Sequence, residues 1–137
     1  MKPKSTFEWL VRVYYEDTDA GGIVYHANYL KYMERARTEW LRFLGFEQDE
    51  LLEQSIGFVV KSLNMENIQA ARFNDKLSIF CQIVELKRAS LVFEQKILNE
   101  QQDLLVQALV RVACVDLSTM RPKAIPKNML GEFSSVV

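Results

Sequence analysis

Between Leu77 and Asp116 the chain alternates apolar and polar residues in three successive runs, and few folds satisfy that pattern. Leu77, Ile79, Cys81 and Ile83 form the first run, Leu91, Phe93 and Ile97 the second, and Val106, Ala108, Val110, Val112 and Cys114 the third. A two-residue period puts each set on one side of a strand, over a core. Short polar turns separate the runs, at 87–90 and 99–103. Parallel neighbours need crossovers of a dozen or more residues, so these strands should form an antiparallel meander.

Ahead of the meander, Phe7 to Tyr15 is rich in aromatic and β-branched residues and reads as a first strand. Ala27, Leu30, Met33, Ala36, Trp40 and Leu44 then recur every three or four positions, which predicts one apolar face of a long helix with Gly45 as its stop. Lys31, Glu34, Arg35, Thr38, Glu39 and Arg42 fall on the remaining surface, with Arg35 and Glu39 spaced as a helical ion pair. Residues 47–54, EQDELLEQ, predict a short second helix ended by Gly57, and everything beyond reads as extended. One long helix against an antiparallel sheet is an α+β fold. At 137 residues, the expectation is a single domain over 1–137.

With 17 basic and 18 acidic side chains intermixed, the net charge of −1 argues against nucleic acid as a partner. The basic start MKPKS resembles the head of a signal peptide, but Glu8 and Arg12 interrupt the apolar run that follows, so secretion is not expected. No transmembrane segment is expected, because no stretch approaches the roughly 20 consecutive apolar residues a bilayer needs. Cys81 and Cys114 fall inside strand patterns without CxxC spacing and read as buried, reduced thiols.

Chemistry concentrates in residues 17–29, DTDAGGIVYHANY, which hold paired acids, two glycines and the one histidine of the chain. As a calcium loop the segment fails: Gly22 would take the sixth position, but Asn28 stands at the twelfth, where an acid is required. A single histidine excludes two-histidine zinc motifs, and GxSxG, GxGxxG and phosphate-loop signatures are absent from the sequence. Metal-free acid and base chemistry remains, with Asp19 as base or nucleophile. The helix start at Tyr25 and His26 would offer N–H groups to an oxygen that becomes negative. The structural alternative makes Asp17 and Asp19 capping residues and Gly21 and Gly22 turn formers.

The segment DTDAGGIVYHANYLKYMERARTEWL, with VRVYYE before it, resembles the 4-hydroxybenzoyl-CoA thioesterase family of hotdog-fold proteins. The likeness is greatest to its YbgC-type acyl-CoA thioesterases, associated with the Tol–Pal system. AARFND at 70–75, LKRASLVFEQKI at 86–97 and ALVRVACVD at 108–116 match later family blocks in order. The resemblance implies a hotdog fold, an antiparallel sheet wrapped around one central helix, and hydrolysis of an acyl-CoA to free acid and CoA without a cofactor. It assigns catalysis to Asp19, attacking the carbonyl itself or activating water, and to His26, whose backbone N–H polarises the carbonyl and whose side chain is a second candidate. Glu34 also belongs to the pattern, but a helix glutamate in an exposed ion pair is the commoner case.

Further implied substrate contacts are Tyr25, Asn28 and Gly22 in the loop, and Lys87, Arg88 and Ser90 near the nucleotide end of CoA. Ala89 stands where the hydroxybenzoyl enzyme is basic, Asn74 replaces an expected aspartate and Ala70 a proline. The resemblance further implies a homodimer or homotetramer with the site shared between subunits, in the cytoplasm or peripherally at the inner membrane. Acyl carrier protein and phospholipid-synthesis enzymes are further candidate partners. Two other readings are a hotdog hydratase or dehydratase, and a non-catalytic acyl-CoA or acyl-carrier binding scaffold.

Overall fold

The computed structural model describes residues 6–137; the basic start weighed above as a signal peptide lies outside the described residues. Strand β1 (Thr6–Arg12) leads through a 3-10 turn and a loop into helix α1 (Asn28–Phe43) and short helix α2 (Gln48–Glu53). Strands β2 (Ile56–Asn67), β3 (Lys76–Leu86), β4 (Ser90–Leu98) and β5 (Leu104–Asp116) follow, then β6 (Arg121–Pro122) and helix α3 (Lys127–Ser134). The strands run in the order β1-β3-β4-β5-β2, with β6 added to β5, and all pairings are antiparallel.

The predicted meander is observed. Leu77, Ile79, Cys81 and Ile83 of β3 are buried together with Leu91, Phe93 and Ile97 of β4 and the alternating residues of β5. Burying each of these aliphatic side chains contributes roughly 1.5–3 kcal/mol. Across them lies α1, and Trp40 ties three elements together: its ring stacks on Phe7 of β1 at 5.9 Å and meets Phe93 of β4 edge-on at 6.0 Å.

Several local readings need correction. The first strand stops at Arg12, because residues 15–17 turn into a 3-10 helix that positions Asp17. The buried stripe of α1 is Tyr29, Tyr32, Met33, Ala36, Trp40 and Leu41, whereas Leu30 is exposed and Ala27 and Leu44 are half-buried. The helix is rotated so that two tyrosines, whose rings anchor in the core and whose hydroxyls reach the loops, take the inner positions. Glu39 forms its ion pair with Arg42, one turn on. Gly45 does end the helix, at φ 99°. Helix α2 is stopped by Ser55 at φ 59°, and Gly57 lies inside β2, where a Cβ would fall 2.5 Å from Leu117 Cδ2. The chain is not extended to its end: Met129 and Phe133, one helical turn apart, bury α3 against the core, with Phe133 edge-on to Phe46.

Both cysteines are buried and free, as expected. No helix among the described residues is long and apolar enough to cross a membrane.

Candidate active site

The loop between β1 and α1 is built around Asp17. Its carboxylate accepts the Tyr14 N–H at 2.8 Å, and its backbone carbonyl accepts both the Tyr25 N–H at 3.0 Å and the Asn28 side-chain amide at 2.8 Å. Asn28, the first residue of α1, thus fastens the loop to the helix. Asp17 also faces the Tyr32 hydroxyl, whose pKa is raised first by burial and then by this carboxylate.

Asp19 occupies a tight turn inside that frame. Its N–H donates to Ile23 O at 2.9 Å, and its carbonyl accepts the Gly22 N–H at 3.0 Å. One carboxylate oxygen, Oδ1, accepts the Gly21 N–H at 2.8 Å. A Cβ on Gly21 would come within 3.2 Å of that oxygen, so glycine permits the close approach. Gly22 supplies φ 78°, a conformation that costs other residues. The Asp19 carboxylate is therefore fixed through one oxygen while the residue stays exposed.

Bridges between Thr18 and Val24 and between Ile23 and Arg72 pin the rest of the loop, and Val24 N–H donates to Ala71 O at 2.9 Å. The chain then enters α1. The N–H groups of Asn28, Tyr29 and Leu30 turn back onto the carbonyls of Tyr25, His26 and Ala27. Among the described residues the N–H of His26 has no backbone acceptor, so this donor stands free at the positive end of the helix. The His26 ring is exposed and packs on the exposed Tyr25 ring at 4.6 Å.

A cleft of about 400 Å³, counted to its mouth, opens beside this helix end. Ile23, Val24, His26 and Tyr29 form one wall and residues 67–70 the other. Asp19 stands on the same loop but outside these walls. The opposite wall is held by Tyr29, whose hydroxyl accepts the buried Ala71 N–H at 3.0 Å. Sequence reasoning missed Tyr29; its spacing from Tyr32 and Met33 on the buried stripe was the available signal. Among the described residues no group of three or more His, Cys, Asp or Glu side chains is placed to hold a metal ion.

Lys87, Arg88 and Ser90 are not brought to this loop within one chain. They close the turn between β3 and β4, where Lys87 N–H donates to Ser90 O at 2.8 Å and both cations are exposed. The Asp19 loop is bridged at Arg72, beyond the opposite end of β3. The 11 residues of β3 separate the two regions by roughly 35 Å at the rise of an extended strand.

Comparison with known proteins agrees with this architecture. Residues 13–133 match the thioesterase-like superfamily. The chain is 49% identical over 127 residues to the acyl-CoA thioester hydrolase YbgC of Escherichia coli O6:H1, covering 93% of this chain and 95% of the relative. It is 50% identical over 128 residues to the acyl-CoA thioesterase YbgC of Haemophilus influenzae, covering 93% of each. In fold it is similar to the DHNA-CoA thioesterase of Staphylococcus aureus, with a TM-score of 0.91 at 23% identity over 96% of this chain and 90% of that one. An antiparallel sheet curled on a long helix, an acid-bearing loop at that helix's amino end and these likenesses together place the chain in the thioesterase-like superfamily of hotdog-fold proteins.

Proposed function

We propose that this protein hydrolyses acyl-CoA thioesters to free acid and CoA, with Asp19 supplying the carboxylate that attacks the carbonyl or activates water. Support rests chiefly on one observation: an exposed carboxylate, held through Oδ1 by the Gly21 N–H, lies on a loop that runs directly into the free N–H of His26. That N–H receives the carbonyl oxygen as it becomes negative, helped by the dipole of α1. Cleavage of the carbon–sulfur bond leaves the acyl group with the oxygen of water. Its proton goes to the departing CoA sulfur. Similarity to the YbgC hydrolases of Escherichia coli and Haemophilus influenzae supports the same substrate class.

The site is completed, in this reading, by a second copy of the chain. Strand β2 is an edge strand of twelve residues, paired only with β5 among the described residues, and Val60 and Leu63 on it are exposed. Such an edge favours antiparallel pairing with a twofold copy. The Lys87–Arg88 turn sits at the Phe58 end of β2, because Phe58 pairs with Cys114 and Cys114 N–H donates to Ala89 O. The Asp19 loop sits at the Asn67 end. A twofold axis through β2 carries the partner's cations toward this chain's Asp19, where they meet the phosphates of CoA. Tyr25 lines the shared site, while Asn28 acts by positioning the loop.

The test is thiol release from acyl-CoA by the wild type and by Asp19→Asn. The wild type should liberate CoA, and the variant should lose at least about a hundredfold in kcat with its fold intact. A folded variant working at the full rate removes Asp19 from the chemistry.

A further inference from the structure

Between α1 and the sheet lies a second chamber, separate from the cleft at His26. Its empty volume, open space at the mouth included, is about 490 Å³. The body is apolar: Phe58, Leu91, Phe93 and Val112 come from β2, β4 and β5. Glu34, Arg37 and Thr38 of α1 stand at the lip.

Arg37 is the unusual member. Its Nη1 donates to Gln95 Oε1 at 2.9 Å, and its guanidinium lies 6.0 Å from the Phe93 ring centroid. Gln95 is 0% exposed and is itself fixed, donating through Nε2 to Met33 O at 2.9 Å and to Cys81 Sγ at 2.9 Å. A buried strand position is thus given to an amide whose remaining acceptor orients one guanidinium. Guanidinium carries five N–H donors, and a neutral amide oxygen satisfies one of them. The ion pairs among the described residues join Arg42 to Glu39 and Glu47, Lys96 to Glu94, and Arg111 to Glu85, so Arg37 has no carboxylate at contact distance. Burial lowers its pKa, against smaller opposing effects of Cys81 and Glu34, which agrees with a cation kept from full hydration.

The surroundings favour an anion. The groove next to the lip shares Glu34 and Arg37 and adds Lys31 and Arg35, so three cations face one acid. A half-buried cation with no carboxylate at contact distance, at the end of an apolar chamber, suits a ligand with one anionic head and a hydrocarbon body. A carboxylate fits best, because two parallel N–H donors of guanidinium match its two oxygens.

We propose that this chamber binds an amphipathic monocarboxylate, its head on Arg37 and its hydrocarbon body against Phe58, Phe93 and Val112. This is the chemical class of acid that the proposed reaction releases, but the binding itself needs no step at Asp19. The test is calorimetric titration of the full chain with hexanoate and with hexanamide, which differ in the charge of the head. Hexanoate should bind at least about tenfold more tightly than hexanamide, the difference expected for losing a charge-assisted hydrogen bond. Arg37→Lys should keep the preference for the acid, Arg37→Met should abolish it, and Val60→Phe, which fills the chamber from its exposed side, should weaken both ligands. Asp19→Asn should bind hexanoate as the wild type does, so a failure of the hydrolysis reading leaves this result standing. Equal affinity for acid and amide, wild-type binding by Val60→Phe, or no binding of hexanoate overturns the proposal.

Discussion

The Tyr29 hydroxyl, on the first turn of α1, accepts the backbone N–H of Ala71, which is fully buried. The carbonyl of the same residue accepts the Val24 N–H from the Asp19 loop. One residue, through its two flanking peptide groups, thus joins helix, loop and the far wall of the His26 cleft. Tyr29→Phe keeps the ring but strands a buried N–H, which costs roughly 1–3 kcal/mol. Urea denaturation should show that loss, and thiol release should show a lower kcat as the cleft loosens. Unchanged values of both would mean that the contact holds nothing in place.

The two loop glycines should separate geometry from stability. Gly21→Ala puts a methyl group 3.2 Å from Asp19 Oδ1 without demanding an unusual φ, so it should shift the carboxylate and lower kcat about tenfold with little change in melting. Gly22→Ala forces a side chain into φ 78° with open space around it, costing about 1–2 kcal/mol of stability. Kinetics and thermal melts on both variants check the contrast, which fails if Gly21→Ala is as active as the wild type.

What the sequence made legible follows from which interactions are local. The alternation over Leu77–Cys114 survives because each strand reports its own burial, and the acid-glycine loop is visible because its turn chemistry lies within ten residues. Gln95 breaks the second run, and that gap was a signal passed over: a polar residue on an inward position is there to hold Arg37. Helix α3 is short and buries only Met129 and Phe133, too little period to stand out. The rotation of α1 toward Tyr29 and Tyr32 depends on partners 42 residues away in sequence and in the core, which periodicity alone does not register. Nor does sequence show that Lys87 and Arg88 lie a strand length from Asp19.

Alkali should unfold the protein through its buried acids. Burial pushes the Cys81 thiol up to about 12 against the smaller effects of Gln95 and Arg37, and burial also raises Tyr29. An unfolded thiol ionises near 9.0, so the folded form holds a proton that the unfolded form has lost. The stabilisation is complete below that value and disappears as pH rises toward 12, at about 1.4 kcal/mol per pH unit for this thiol. Urea midpoints should be flat from pH 7 to 8.5 and fall by pH 10.5. Cys81→Ser, which keeps an acceptor for Gln95 but does not ionise, should fall less steeply. A thiol reagent at pH 8 should reach Cys81 only on unfolding.

The shared site has a direct test in mixed oligomers. Asp19→Asn removes the carboxylate, and Lys87→Ala with Arg88→Ala removes the cations, so each homo-oligomer has defective sites of one kind. If the cations serve the partner's Asp19, a mixed dimer holds one site with both defects and one with neither. Random exchange of equal amounts then restores about a quarter of the wild-type sites, since half the dimers are mixed and each regains one. The gain should appear at low acyl-CoA concentration, where loss of phosphate contacts raises KM most. Co-unfolding and refolding the two variants, followed by thiol release, makes the measurement. A site built within one chain gives a different result: every mixed dimer carries one defect in each subunit, and activity stays at the average of the two parents.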